Sequence, residues 1–254
     1  MLSHRTKILF LGVFVAINCA HPEPVAVRYA EGSVRGYLAL RSPNGKLLAA
    51  GDLIQMVHHD TLTARLIYRF KDGSVDDETA VFTQKGRFRL VSDHKVQRGP
   101  MFPNPSDINL VVKTGQVTVK YKGKVETTHM DLPEDLSNGI MIVVVKNIPR
   151  TEETQLSFVA ATPKPRLIHL TLKPDGTEPF QSAGRTHRAL RFVVHVDLGG
   201  IMGIVAPMIG KEPPDSHVWI SADSVPGFIK SETPLYLGGP MLTTEQVGPD
   251  WPQR

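Results

Sequence analysis

Between residues 33 and 129 apolar and polar side chains change places almost every residue. This is the two-residue period of strands with one face in a core and the other in water. Residues 62–70 (LTARLIYRF) show it most cleanly: Leu62, Ala64, Leu66, Tyr68 and Phe70 alternate with Thr63, Arg65, Ile67 and Arg69. Segments 33–40 (SVRGYLAL) and 46–57 (KLLAAGDLIQMV) flank Ser42-Pro43-Asn44-Gly45. An Asn-Gly pair between apolar runs is a hairpin signal. Lys71-Asp72-Gly73-Ser74 turns the chain again before a return at 79–84, and Gly86 precedes another alternation at 87–91 (RFRLV). Residues 99–105 hold three prolines, which fix φ and remove ladder donors, so this stretch reads as a loop. Strands are expected again at 108–113, 116–121 and 124–129, and then at 155–161, 166–172, 189–195, 217–222 and 228–231. From about residue 240 the pattern fades, and an irregular tail is expected.

Two stretches break the alternation. In residues 131–148, Leu136, Ile140, Val144 and Ile148 recur every fourth position behind Asp131, Pro133, Glu134 and Asp135, and Pro149 ends the run. Cap, proline and acids suit a helix start, so a buried helix is expected. The β-branched run 142–145 and the Asn138-Gly139 pair pull the other way, towards a strand. Residues 198–210 (LGGIMGIVAPMIG) are almost wholly apolar, but thirteen residues are too few to cross a bilayer as a helix. The expected fold is mainly β: a strongly curved antiparallel sheet or half-barrel, with one or two helices against its concave face.

The first twenty residues have a different logic. Arg5 and Lys7 precede the apolar run 8–17 (ILFLGVFVAI), and Asn18-Cys19-Ala20 leads into His21-Pro22-Glu23-Pro24. That order is a secretory signal, with cleavage expected near Ala20 and one mature β-rich domain over 21–254. The expected address is the periplasm or cell envelope, with no transmembrane span once the signal is gone. Cys19 is the only cysteine in the chain, so the mature domain is expected to hold no internal disulfide. Lipidation at Cys19 is the alternative to cleavage, although Ala16-Ile17-Asn18 departs from the usual lipoprotein pattern. Arg5 and Lys7 take with them two of the four net positive charges, and the small surplus of two that remains, with no basic run, argues against nucleic acid as a partner.

Candidate chemistry is sparse. Adjacent strand residues point to opposite faces, so His58 and His59 do not readily share an ion. No third ligand stands at a metal-motif spacing, and no metal or cofactor is expected. Asp76-Asp77-Glu78 reads as a solvated hairpin flank rather than as the separated carboxylate pair of a glycosidase. No Gly-x-Ser-x-Gly elbow exists, and His169, His187 and His195 are scattered singly. No catalytic residue is assigned, and the chain is expected not to be an enzyme. The two apolar stretches are either plain core or the lining of a greasy cavity; Leu136, Ile140, Val144, Ile148, Ile201, Met202 and Val205 are the candidate lining.

Several segments carry a family resemblance. They are Phe70-Lys71-Asp72-Gly73-Ser74 with Asp77-Glu78-Thr79, residues 131–139 (DLPEDLSNG), Lys146-Asn147-Ile148-Pro149, and Gly199-Gly200 through Pro214-Asp215. Over roughly residues 28–237 the chain resembles uncharacterised exported bacterial β-rich proteins, a periplasmic family of unknown function similar to the lipoprotein-carrier half-barrel. The resemblance implies an incomplete barrel wrapped over helices around a hydrophobic cavity, and it implies no catalytic residue. Taken together, the leading expectation is non-enzymatic binding of a lipid or other apolar molecule. A structural or protein-interaction module with an envelope partner comes second. A hydrolase of envelope polymers comes third.

Overall fold

The computed structural model describes residues 23–160, 162–182, 184–197 and 213–248. Residues 1–22, the 198–210 stretch with Ile201, Met202 and Val205, and the Cys19 alternative lie outside the described residues.

Among the described residues fourteen strands form one antiparallel sheet. The first eight are β1 (Val34–Arg41), β2 (Leu47–His58), β3 (Thr61–Phe70), β4 (Val75–Thr83), β5 (Arg89–Arg98), β6 (Ser106–Val111), β7 (Gln116–Tyr121) and β8 (Lys124–His129). The other six are β9 (Thr154–Ala160), β10 (Arg166–Ser182), β11 (Arg185–Asp197), β12 (Ser216–Ser221), β13 (Phe228–Pro234) and β14 (Met241–Val247). The spatial order is β8-β7-β6-β5-β4-β3-β2-β1-β14-β13-β12-β11-β10-β9. Each half is a plain meander, and the first and last strands meet in the middle, Leu38 opposite Gln246 and Leu40 opposite Thr244. The sheet is curved and not closed, because its edges, β8 and β9, do not pair with each other.

The alternating face named from the sequence is the inner one. Leu62, Ala64, Tyr68 and Phe70 of β3 are all buried, as are Leu38, Leu40, Val117, Val119, Leu172, Phe192 and Ile220 from strands across both halves. These residues belong to one continuous core.

The tail is the first correction to the sequence reading. Met241-Leu242-Thr243-Thr244-Glu245-Gln246-Val247 is not irregular; it is β14, paired on both sides and central to the sheet. Its inward positions, Leu242 and Thr244, include only one large apolar side chain, so the pattern along the strand is weak. Partners supply the order: Thr244 accepts or donates a hydrogen bond with the Tyr68 hydroxyl at 3.1 Å, and Glu245 pairs with Arg41.

The second correction concerns the 131–148 helix. Helix is confined to α1 (Met141–Val145), and the flanking chain is extended or turning. Because β8 and β9 are opposite edges, residues 130–153 must cross the mouth of the curved sheet, and they do so as a strap. Asp135, expected near a helix start, and Asn138, which pulls the other way, both bond the free edge of β9. Ser157 N donates to Asp135 Oδ2 at 2.9 Å, and Val159 N donates to Asn138 Oδ1 at 2.7 Å. Asn138 Nδ2 returns a bond to Val159 O at 3.0 Å, and Ser137 N donates to Ser157 O at 2.8 Å. Short polar side chains that bond nearby backbone compete with helix. Here they also cover an edge that would otherwise be open to pairing. Gly139 then takes φ +90° and ends any helical path.

What holds the strap is burial. Leu136, Ile140, Val144 and Ile148 are each almost fully buried, and burial of one such side chain contributes about 1.5–3 kcal/mol. Its far end is pinned by Asn147, whose Oδ1 accepts from Arg28 N at 2.8 Å and Tyr29 N at 2.7 Å, while Nδ2 donates to Tyr29 O at 3.1 Å. Beside it Lys146 pairs with Glu31 at 2.8 Å. Asn147→Ala removes three bonds from a buried site and is expected to lower stability by about 1–3 kcal/mol, read as a shifted urea midpoint.

Candidate functional site

Where the strap crosses β3, β4 and β5, it leaves a cavity of about 350 Å³. Ile140, Met141 and Ile142 of the strap form one wall, and Leu40, Leu66, Ile108, Phe158, Phe228, Leu235 and Leu242 line much of the rest. Of the candidate lining residues, Ile140 reaches the cavity, while Leu136, Val144 and Ile148 are buried in the surrounding core.

The strap lies close because of Gly139. A Cβ there would stand 2.6 Å from Ala80 Cβ and 3.6 Å from Asp93 Oδ1. A second glycine shapes the floor: a Cβ on Gly51 would meet the Tyr68 ring at 2.6 Å. Tyr68 therefore lies flat over β2 and reaches its Thr244 partner on β14.

One wall is polar. Asp76 and Glu78 of β4 face inward, opposite Gln97 and Lys95 of β5. Asp93 sits on the same face, opposite Ala80. Lys95 Nζ lies 3.0 Å from Glu78 Oε2 and 3.7 Å from Asp76 Oδ1. Gln97 Nε2 donates to Asp76 Oδ2 at 3.0 Å and to Leu235 O at 3.1 Å. Asp76 Oδ1 and Asp93 Oδ1 have no hydrogen-bond partner although both atoms are buried.

The electrostatics follow from this crowding. Burial, reinforced by the Glu78 charge, pushes the Asp93 carboxyl well above the ordinary aspartate range. Burial raises Asp76 as well, against the pull of Lys95 and the Gln97 bond. Burial alone would lower Lys95, but the charges of Asp76, Glu78 and Asp93 outweigh it and leave the ammonium harder to deprotonate than usual. Burial likewise raises the Tyr68 phenol. Lys95 is thus a fixed cation, unsuited to act as an amine nucleophile.

The solvated-flank reading of Asp76-Asp77-Glu78 is corrected here: the three residues divide between faces. Asp77 points outward, where Arg65 clasps it with bonds of 2.8 and 2.6 Å, while Asp76 and Glu78 enter the cavity. Sequence reasoning also missed Asp93, Lys95 and Gln97. Phe88 and Leu90 are buried, and strict alternation from them would send Ser92, His94 and Val96 inward. A bulge at Val91 reverses the parity, because Val81 pairs with Ser92 but Phe82 pairs with Leu90. A cue was present: polar residues at 93, 95 and 97 match the period of Asp76 and Glu78 across one hairpin.

The remaining candidates lie elsewhere. His58 and His59 sit at the β2–β3 turn with rings 4.2 Å apart, and His59 has φ 53°. His195 pairs with Asp215 at 2.8 Å, and His187 lies 3.9 Å from Asp223. Among the described residues, no three His, Cys, Asp or Glu side chains are grouped to hold a metal ion. Also among them, no helix is long and apolar enough to cross a membrane.

No family model and no curated protein matches the chain. Among solved structures it is similar to a β-barrel-like protein of the domain of unknown function DUF1849 from Brucella abortus. The two are 11% identical, with a TM-score of 0.44, over 86% of this chain and 98% of that one. It also matches the structure of MucB in complex with MucA(peri), at 10% identity and a TM-score of 0.19, over 85% of this chain and 87% of that one.

Proposed function

We propose that this is an exported cell-envelope protein that holds an apolar ligand, such as a lipid chain, in the cavity beneath the strap without transforming it. The observation that carries the reading is the cavity itself. An open half-barrel is crossed by an apolar strap, yet about 350 Å³ remains between strap and sheet. That volume is at the small end of ligand pockets, and the mainly apolar walls with a few convergent polar groups are typical of them. Export rests on the basic, apolar and helix-hostile order of residues 5–24.

The test is an apolar fluorophore. N-phenyl-1-naphthylamine is expected to bind in one-to-one ratio, and Ile142→Trp, which fills the cavity from the strap, to weaken it at least about ten-fold by removing the buried contact. No binding, or equal binding by the variant, overturns the reading.

Three carboxylates in one cavity favour a second reading, hydrolysis of an envelope polymer, since a raised carboxyl such as Asp93 resembles a general acid. The binding reading is preferred because Asp76 and Glu78 are engaged by Gln97 and Lys95, and the strap roofs the site where a polymer would need an open cleft. Turnover of envelope glycan by the purified protein, lost in Asp93→Asn, would reverse that preference.

A further inference from the structure

The cavity has more negative groups than its own cation satisfies. Asp76, Glu78 and Asp93 face one ammonium, and Lys95 is the only cationic side chain among the described lining residues. Lys95 makes its close contact with Glu78, while Asp76 Oδ1 stands 3.7 Å away. Asp93 is 5% exposed and Asp76 6% exposed, and each lines the cavity with one buried oxygen that lacks a hydrogen bond, Asp76 Oδ1 having only the long ionic contact to Lys95. A buried acceptor left unmade is costly, so the arrangement is complete only with a donor present.

We propose that the ligand held in this cavity carries a protonated primary amine, which docks on Asp93 and Asp76 while its hydrocarbon lies against Ile140, Met141, Phe158 and Phe228. The inference rests on the apolar-binding reading above and adds the polar end. An ammonium offers three donors and no acceptor, and its charge holds Asp93 and Asp76 ionised against the upward push of burial, so that both oxygens then accept. Its charge balances the surplus carboxylate, and each bond is charge-assisted. A fatty carboxylate would instead bring a fourth negative group against three. A hydroxyl would satisfy one oxygen and leave the charge.

The experiment is displacement of N-phenyl-1-naphthylamine by dodecylamine, dodecanol and dodecanoate, all below micelle-forming concentration at pH 7. Dodecylamine is expected to displace the probe at least about ten-fold more tightly than the other two, the scale of one charge-assisted bond. In Asp93→Asn and Asp76→Asn together, that preference is expected to shrink to within about two-fold while dodecanol affinity is kept. Thermal stability of Asp93→Asn alone should equal or exceed that of the native chain, which separates lost charge from lost fold. Lysophosphatidylethanolamine distinguishes sources: competition as strong as dodecylamine assigns the amine to a lipid headgroup, and weaker competition assigns it to a free alkylamine. Equal displacement by amine and alcohol, or an amine preference that survives both substitutions, overturns the inference and leaves apolar binding standing. Failure of all three chains to displace the probe removes the apolar reading and this inference with it.

Discussion

Lys95→Met is expected to lower stability by about 1–3 kcal/mol at pH 7, because it leaves the buried Asp76 and Asp93 and the half-buried Glu78 without their cation, while solvent reaching Lys95 keeps the loss below that of a fully buried pair. Methionine keeps most of the stem's apolar contact, so the loss isolates the charge. The pH dependence has a definite sign. Asp76 and Asp93 already have carboxyl pKa values raised in the folded protein by burial, and removing the ammonium raises them further. A carboxyl raised in this way favours the fold below its unfolded pKa and opposes it progressively as pH rises through the folded value. The deficit of Lys95→Met is therefore largest at neutral pH and shrinks as pH falls towards 4. Asp52 and Asp77 behave oppositely, since arginines hold them below the usual range, but they are present in both proteins and cancel in the difference. Urea midpoints at several pH values measure this directly. A deficit independent of pH would mean that Lys95 contributes through its stem alone.

Gly139→Ala is expected to cost about 2–5 kcal/mol, combining left-handed backbone strain with overpacking. The methyl would stand 2.6 Å from Ala80 Cβ, a fully buried atom on a paired strand, at a backbone φ of +90°. The strap is the more yielding side, so it lifts from β4, and binding of the apolar probe should weaken with stability. Adding Ala80→Gly to the variant removes the clash but not the strain. The double variant is expected to recover part of the loss, which urea unfolding of all four combinations resolves. Full recovery would assign the whole cost to contact, and none would assign it to backbone conformation.

These two sites mark where the sequence was legible and where it was not. The curved antiparallel sheet could be read because Leu62 to Phe70 and its neighbours repeat a two-residue period with one buried face. The ends of β7 and β8 were legible as well, because Gly115 and Gly123 punctuate them. The strap could not be read from its four-residue apolar recurrence alone. Burial across the mouth needs apolar side chains but not helical spacing, and Asp135 and Asn138 were spent on the edge of β9. β14 was hidden because strands on both sides supply what its own side chains do not. The polar wall was hidden by the bulge at Val91, a one-residue change of parity that alternation from Phe88 and Leu90 misses and that only the polar period at 93, 95 and 97 betrays. The resemblance to exported β-rich proteins anticipated a cavity, but nothing in it pointed to Asp93 or Lys95.

The central claim is that an apolar ligand occupies the space beneath the strap. The most direct measurement is a pair of native and denaturing mass spectra of the protein isolated gently from the envelope fraction after expression of the full 254-residue sequence. The account predicts a chain beginning near His21 that carries extra mass in the native spectrum, loses it on denaturation, and fails to carry it in Ile142→Trp. A bare chain in the native spectrum, or extra mass retained by Ile142→Trp, would contradict it.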